Sequence, residues 1–147
     1  HSGAVRHGAK LFYAYAEATI PMVTVVLRKA YGGGYVSLGS RHIGADYVFC
    51  LPTAEIAVMG PESAVSVLYH KEIKAIVENG GDVEAFKKEK AEEYRREYAN
   101  PYEAGAKGYI DDVVEPQDVR GRVVEAFSSL KGKKVDRPNK KHGLTPT

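Results

Sequence analysis

Apolar runs broken by glycine, proline and charge divide this chain into short, alternating elements. Over residues 6–19, Leu11, Tyr15 and Ala18 recur at helical spacing, and Pro21 closes the segment. Met22-Val23-Thr24-Val25-Val26-Leu27 is too continuously apolar for a half-exposed strand and predicts one buried on both faces. Residues 46–51 predict a second buried strand, ended by Pro52, and residues 55–59 a third. Gly60-Pro61-Glu62 opens a helix, with proline in the first turn and an acid near the positive helix end. That helix runs to about Glu78, where Asn79-Gly80-Gly81 stops it.

The second half is more polar. Asp82 caps a long charged helix reaching Tyr98, with Glu84/Lys88 and Glu92/Arg96 at i,i+4 spacing. A helix polar around most of its surface either projects or meets a partner. Asn100-Pro101 starts a shorter helix through Lys107, and residues 109–114 predict an edge strand. In the last helix, residues 116–130, Val119, Val123, Phe127 and Leu130 share a stripe that docks on the body. The class is α/β; element order alone does not fix the fold.

The local feature with most chemical content is Arg28-Lys29-Ala30-Tyr31-Gly32-Gly33-Gly34-Tyr35. It links the first buried strand to a short helix predicted over residues 36–43. A strand that turns through glycines into a helix start presents several bare N–H groups to one point, a fit for an oxyanion or a phosphate.

Composition narrows the chemistry. The 147 residues make about one domain, with ordinary hydrophobic (44%) and charged (27%) content. No run approaches the roughly 20 apolar residues of a membrane span. Residues 1–10 carry no apolar segment of a signal peptide, and a lone cysteine, Cys50, excludes an internal disulfide; the cytoplasm is the expected compartment. Six of the 21 basic groups but one of the 19 acidic groups lie in residues 131–147, so the remainder is net −3. That basic tail is solvated or packs on a neighbouring subunit; no zinc-ligand spacing or aromatic RNA motif supports nucleic acid as partner.

The side-chain chemistry is sparse. His1, His7, His42, His70 and His142 form no metal-ligand spacing and read as structural or surface groups. Cys50, mid-strand and apolar, reads as a buried inert thiol. Asp111-Asp112 are adjacent strand residues and face opposite ways, so they do not form a paired acid and base. Glu55 reads as a partly buried carboxylate with a structural hydrogen bond. The chain also opens on a helix with no first strand, has few strands for its helices, and offers its glycine turn no facing half-site. It reads as a piece of something larger.

Five blocks carry a resemblance: Arg6-His7-Gly8-Ala9-Lys10, Glu17-Ala18-Thr19-Ile20-Pro21, Arg28-Lys29-Ala30-Tyr31-Gly32-Gly33, residues 52–60, and Lys140-Lys141-His142-Gly143. In this order they resemble the carboxyltransferase subunits of biotin-dependent acyl-CoA carboxylases, of the propionyl-CoA carboxylase beta and methylmalonyl-CoA decarboxylase alpha kind. The resemblance implies a partial crotonase-like spiral of ββα units with extra C-terminal helices. Residues 1–130 would form the last part of the second carboxyltransferase domain and residues 131–147 a basic tail.

The same resemblance implies the site. Carboxyl transfer from carboxybiotin leaves negative charge on the ureido oxygen, and by motif position the N–H groups of Gly33 and Gly34 hold it. Tyr31, Gly32, Tyr35 and Val36 would line the substrate site. Val36 stands where acetyl- and propionyl-type carboxylases commonly carry aspartate, which leaves the acyl group and the choice of carboxylase or decarboxylase open. Implied cofactors and substrates are biotin on a carrier protein and an acyl-CoA, with no metal. Implied partners are the biotin carboxyl carrier protein and biotin carboxylase or decarboxylase subunits, in a homo-oligomer without nucleic acid or direct membrane insertion. Two other readings stand beside it: a self-sufficient crotonase-type CoA enzyme, and a non-catalytic assembly module docking through the residue 82–98 helix and the tail.

Overall fold

A computed structural model describes residues 3–139, 141 and 143–146. His1 and, in the closing block, Lys140 and His142 lie outside them. Helix α1 (Ala4–Glu17) precedes β1 (Val23–Val26), β2 (Lys29–Tyr31) and α2 (Gly32–Ser37). A 3-10 turn at Arg41–Ile43 leads to β3 (Tyr47–Cys50), β4 (Glu55–Ala57) and α3 (Pro61–Leu68). Then come α4 (His70–Glu78), α5 (Val83–Glu97), α6 (Pro101–Ala106), β5 (Asp112–Val113) and α7 (Val119–Ser129).

The arrangement is a repeated ββα unit. β1 pairs in parallel with β3, Val23 opposite Tyr47, while β2 pairs in parallel with β4, Lys29 opposite Glu55. The unit β3–β4–α3 therefore lies directly on β1–β2–α2. β5 extends the first sheet to the order β1-β3-β5, after α4, α5 and α6 have been inserted. Crossing hydrogen bonds tie the turns of this spiral together: Leu51 N–H to the Val26 carbonyl at 3.0 Å, and Asp111 N–H to that of Val48 at 2.8 Å.

Strand alternation decides where the core sits. Val26, Val48 and Cys50 join Ala30, Ile56, Ala104 and Ile110 between the two sheets and α6. Val23, Val25, Tyr47 and Phe49 point to the other face, which α7 covers through Val119, Val123 and Ala126. On α7 the expected stripe ends early: Phe127 is 44% exposed and the smaller Ala126 is the buried residue. β3, in the middle of its sheet, is buried as expected; β1, at the edge, is only partly so.

Several boundaries differ from the hydrophobic pattern. The pattern predicts no strand at Lys29–Tyr31, because three residues flanked by Arg28 and glycine carry too little apolar signal; pairing with β4 creates it. α2 begins at Gly32 rather than at residue 36, so the three glycines are its first turn instead of a loop before it. The helix expected over residues 61–78 breaks at Tyr69 (φ −107°, ψ 25°), whose ring packs edge-on against Phe86 of α5. The charged helix α5 meets α3 of this same chain, with Ala64, Val65 and Ala91 buried, instead of projecting. Its ion pairs form at i,i+3, Lys87–Glu84 and Arg95–Glu92, since Arg95 is also held by Glu55 and Glu62. The caps are as expected: Asp82 accepts from Ala85 N–H and Asn100 from Glu103 N–H.

The basic segment after α7 folds back onto the start of the chain. Lys133 Nζ donates to Asp46 Oδ2 at 2.7 Å and to the Ile20 carbonyl at 3.2 Å; Arg137 pairs with Glu17 and donates to the Ala16 carbonyl. Asp46 also accepts from Met22 N–H at 2.7 Å, so one carboxylate joins the entry of β1, the entry of β3 and the tail. Burial, the largest single influence, pushes this carboxyl up. The Lys133 hydrogen bond, the Met22 N–H and the charges of Lys133 and Arg41 outweigh it and leave it below its ordinary value.

A depressed carboxyl stabilises the fold above its unfolded value and loses that contribution as pH falls through the folded value. Lys133→Met is therefore expected to cost about 1–3 kcal/mol near neutral pH. It should also flatten the loss of stability below about pH 4. Urea unfolding at stepped pH checks both.

Candidate functional site: a groove at the glycine turn

Gly32 takes φ +53°, and a Cβ placed there would lie 2.6 Å from the Val58 carbonyl oxygen. Only glycine fits, because both the left-handed backbone and the close approach exclude a side chain. Beyond Gly32 the constraint disappears: a Cβ on Gly33 or on Gly34 would meet nothing within 4 Å. These residues form the first turn of α2, where N–H groups have no intrahelical acceptor. The outcome is a short row of N–H groups on approachable backbone.

Gly32 and Gly33 line one wall of a groove of about 1120 Å³, continued by Tyr35 and Val36. The opposite side is built from α5 and α6 through Tyr94, Tyr98, Glu103 and Lys107. Val58, 78% exposed, and Leu68, 62% exposed, add an apolar stretch. At one end the His42 ring lies between Tyr109, 4.8 Å away centroid to centroid, and Tyr35, 6.0 Å away. Burial raises the Tyr35 phenol above its usual value, so it remains a neutral donor, and its hydroxyl reaches the Tyr109 carbonyl at 3.5 Å. Charge along the wall is mainly acidic. Glu93 is paired with Lys90 at 2.5 Å and Glu103 with Lys107 at 3.4 Å, while Glu97 also lines the groove.

Of the six residues singled out in the sequence, Gly32, Gly33, Tyr35 and Val36 share this wall. Gly34 and Tyr31 are not among its lining residues. The Tyr31 hydroxyl donates to Glu55 on β4. The Tyr94/Tyr98 pair did have a local signal, two aromatics four apart on a charged helix, with ring centroids 5.4 Å apart. His42 against Tyr109 had none, since sequence spacing does not report a contact made by the fold.

The other candidate groups have structural surroundings. Cys50 is fully buried, and burial followed by the Asp112 charge pushes its thiol up to about 11. Asp111 pairs with Arg41 and accepts from Val48 N–H, whereas Asp112 pairs with Arg122 of α7, so the two carboxylates are separately engaged. Glu55 accepts from Tyr31 and pairs with Arg95 at 3.3 Å. Among the described residues no His/Cys/Asp/Glu group could hold a metal ion, and no helix is long and apolar enough to cross a membrane.

The carboxyl transferase domain pattern matches residues 1–145. The chain belongs to the carboxyl transferase domain family. It is 52% identical over 146 residues to the carboxyltransferase subunit of propionyl-CoA carboxylase from Haloferax mediterranei, covering 99% of this chain and 28% of that protein. It is 51% identical, with the same coverage, to the alpha subunit of methylmalonyl-CoA decarboxylase from Propionigenium modestum. The crystal structure of transcarboxylase 12S, a hexamer with methylmalonyl-coenzyme A and methylmalonic acid bound, superposes with a TM-score of 0.88 at 50% identity, covering 99% of this chain and 27% of that one. The chain thus spans a little over a quarter of the length of these carboxyl transferases. Its spiral of ββα units is their crotonase-like fold.

The glycines of the turn are expected to tolerate substitution unequally. Gly32→Ala should destabilise the fold by about 1–3 kcal/mol, since strain and clash coincide there. Gly33→Ala should change stability by less than about 1 kcal/mol. Chemical unfolding of the two variants side by side measures the contrast.

Proposed function

We propose that this chain supplies the biotin side of an acyl-CoA carboxyltransferase acting on propionyl-CoA, methylmalonyl-CoA or a related short acyl-CoA. The carrying observation is the set of first-turn N–H groups at Gly33 and Gly34, without acceptors inside α2 and with open space about both residues, beside the groove that Gly33 lines. Biotin, when carried to this site, would supply the transferable carboxyl group, with negative charge to be held at its ureido oxygen. The Gly33 and Gly34 N–H groups donate to that oxygen, and Gly32 fixes their direction through its contact with Val58. Tyr35 and Val36 shape the wall beside them. No side-chain base is required of this chain in that role, in keeping with the engaged state of Glu55, Asp111 and Cys50.

The groove's charge supports this division of labour. With Lys107, itself paired with Glu103, as the only Lys or Arg among its lining residues, the groove offers little to the phosphates of coenzyme A, whose binding then belongs to other parts of the enzyme. In this reading the partners are a biotin carboxyl carrier protein and biotin carboxylase or decarboxylase subunits, within a cytoplasmic homo-oligomer. Residues 1–130 act as the domain body, with residues 131–147 as a basic tail. The packing of α5 on α3 leaves less of that helix for the assembly-module alternative.

Decarboxylation of malonyl-CoA and methylmalonyl-CoA with biotin tests the proposal, using this chain alone and joined to the remainder of a full-length carboxyltransferase. Activity is expected only in the joined form. There, Gly34→Ala should retain the rate within about threefold, having room for its methyl and keeping its N–H. Gly34→Pro, which removes that N–H at a first-turn position that tolerates proline, should lower kcat by roughly 10²–10³. A Gly34→Pro enzyme of undiminished rate, or transfer by the isolated 147-residue chain, refutes the assignment.

A further inference from the structure

Three consecutive glycines are a poor way to aim a hydrogen bond, because each has more backbone freedom than any other residue. α2 has no side-chain cap at its N-terminus. The direction of its N–H groups must therefore be held from outside the turn, and on the side away from α1 the contacts converge on the segment from Glu55 to Gly60. β2 is in register with β4, ending at Tyr31 opposite Ala57. Gly32 lies against the Val58 carbonyl, and the Tyr31 ring packs on Gly60, where an added Cβ would sit 3.3 Å from it. The last hold is the Tyr31 hydroxyl, which donates to Glu55.

Glu55 is itself fixed. Its side chain is 19% exposed, and Arg95 of α5 approaches it at 3.3 Å while also reaching Glu62 of α3 at 3.1 Å and Glu92 at 2.7 Å. Through Arg95 the carboxylate is anchored to α5 and, by way of Glu62, to α3. Burial, then the hydrogen bond and charge of Glu55, raise the Tyr31 phenol well above its ordinary range, so it remains a donor across any physiological pH. Resting on the oxyanion reading above, we propose that Tyr31, Glu55 and Arg95 form a positioning relay that holds the Gly33 and Gly34 N–H groups at the angle the reaction needs. Tyr31 is thereby a positioning residue: it acts through the backbone that follows it and not by touching substrate.

The test uses the full-length carboxyltransferase containing this chain, with free biotin and whichever of malonyl-CoA and methylmalonyl-CoA the unmodified enzyme decarboxylates faster. Tyr31→Phe and Glu55→Leu should each lower kcat roughly 5- to 30-fold, a fraction of the effect of losing a whole oxyanion donor. KM for the acyl-CoA should stay within twofold. Glu55→Gln keeps an acceptor for the hydroxyl and should lose less than Glu55→Leu. The double variant Tyr31→Phe/Glu55→Gln should be no slower than Tyr31→Phe, since both changes break one relay. Thermal midpoints keep the assay well below unfolding, and if Tyr31→Phe does not fold, the ordering of the two Glu55 variants carries the test. Gly34→Pro runs alongside. An enzyme that decarboxylates neither substrate, or that survives Gly34→Pro, overturns the oxyanion reading and the relay with it. A rate lost in Gly34→Pro but kept within twofold in Tyr31→Phe and Glu55→Leu overturns the relay alone, as do strictly additive losses.

Discussion

The approach of the Gly32 backbone to the Val58 carbonyl is the constraint on which the groove depends. It exists because β2 and β4 are parallel neighbours in register, which carries the strand after each core strand to the same side of the spiral. Were the two units displaced by one residue, every side chain of β2 would change face and the glycines would lose their bed. The register is protected by more than ladder bonds. Tyr31 on Glu55 and Tyr31 on Gly60 both fail if β2 slips. Chemistry at the turn and pairing in the second sheet are thus one structural fact.

A second set of links secures the strand entries of the other sheet. Asp46 gathers Met22 N–H and Lys133, while Arg41 binds the Ala45 and Asp46 carbonyls and pairs with Asp111. These residues lie at the entries to β1, β3 and β5, where a spiral of short parallel strands has little else to fix its pitch. The β1-β3-β5 sheet then needs no long strands: two or four residues each suffice when loops are pinned by partly buried ion pairs and both faces are covered.

Much of this was legible in the sequence, for reasons that can be named. β3 and its burial follow from an unbroken apolar run, and the α5 and α6 starts from Asp82 and Asn100, whose caps are local chemistry. Glu55's structural hydrogen bond and the inert setting of Cys50 were equally readable. What escaped was non-local. β2 has almost no apolar signal and owes its existence to a partner 26 residues on. Charged α5 looked free because its contact with α3 uses alanines and a valine, which periodicity does not distinguish from background. The glycine turn after a strand was legible, yet its place inside α2 was not, since propensity argues against three glycines in a helix. Tertiary contacts from Glu55 to Gly60 override that preference. The family's block order supplied what periodicity could not, the crotonase-like spiral.

In the proposed reading, main-chain donors have an advantage over a charged side chain. A cationic side chain would attract an anion in the ground state as strongly as a developing one, and such uniform binding does not raise kcat. Backbone N–H groups carry only partial charge. In the proposed role, the N–H groups at Gly33 and Gly34 would gain most when negative charge appears on an atom already held against them. That advantage is geometric and requires rigid donors, because a turn free to reorient would stabilise resting and reacting species alike. In the proposed reading, a largely apolar groove and a clamped glycine turn are complementary: the first seats the ring, and the second rewards the charge that would form in place.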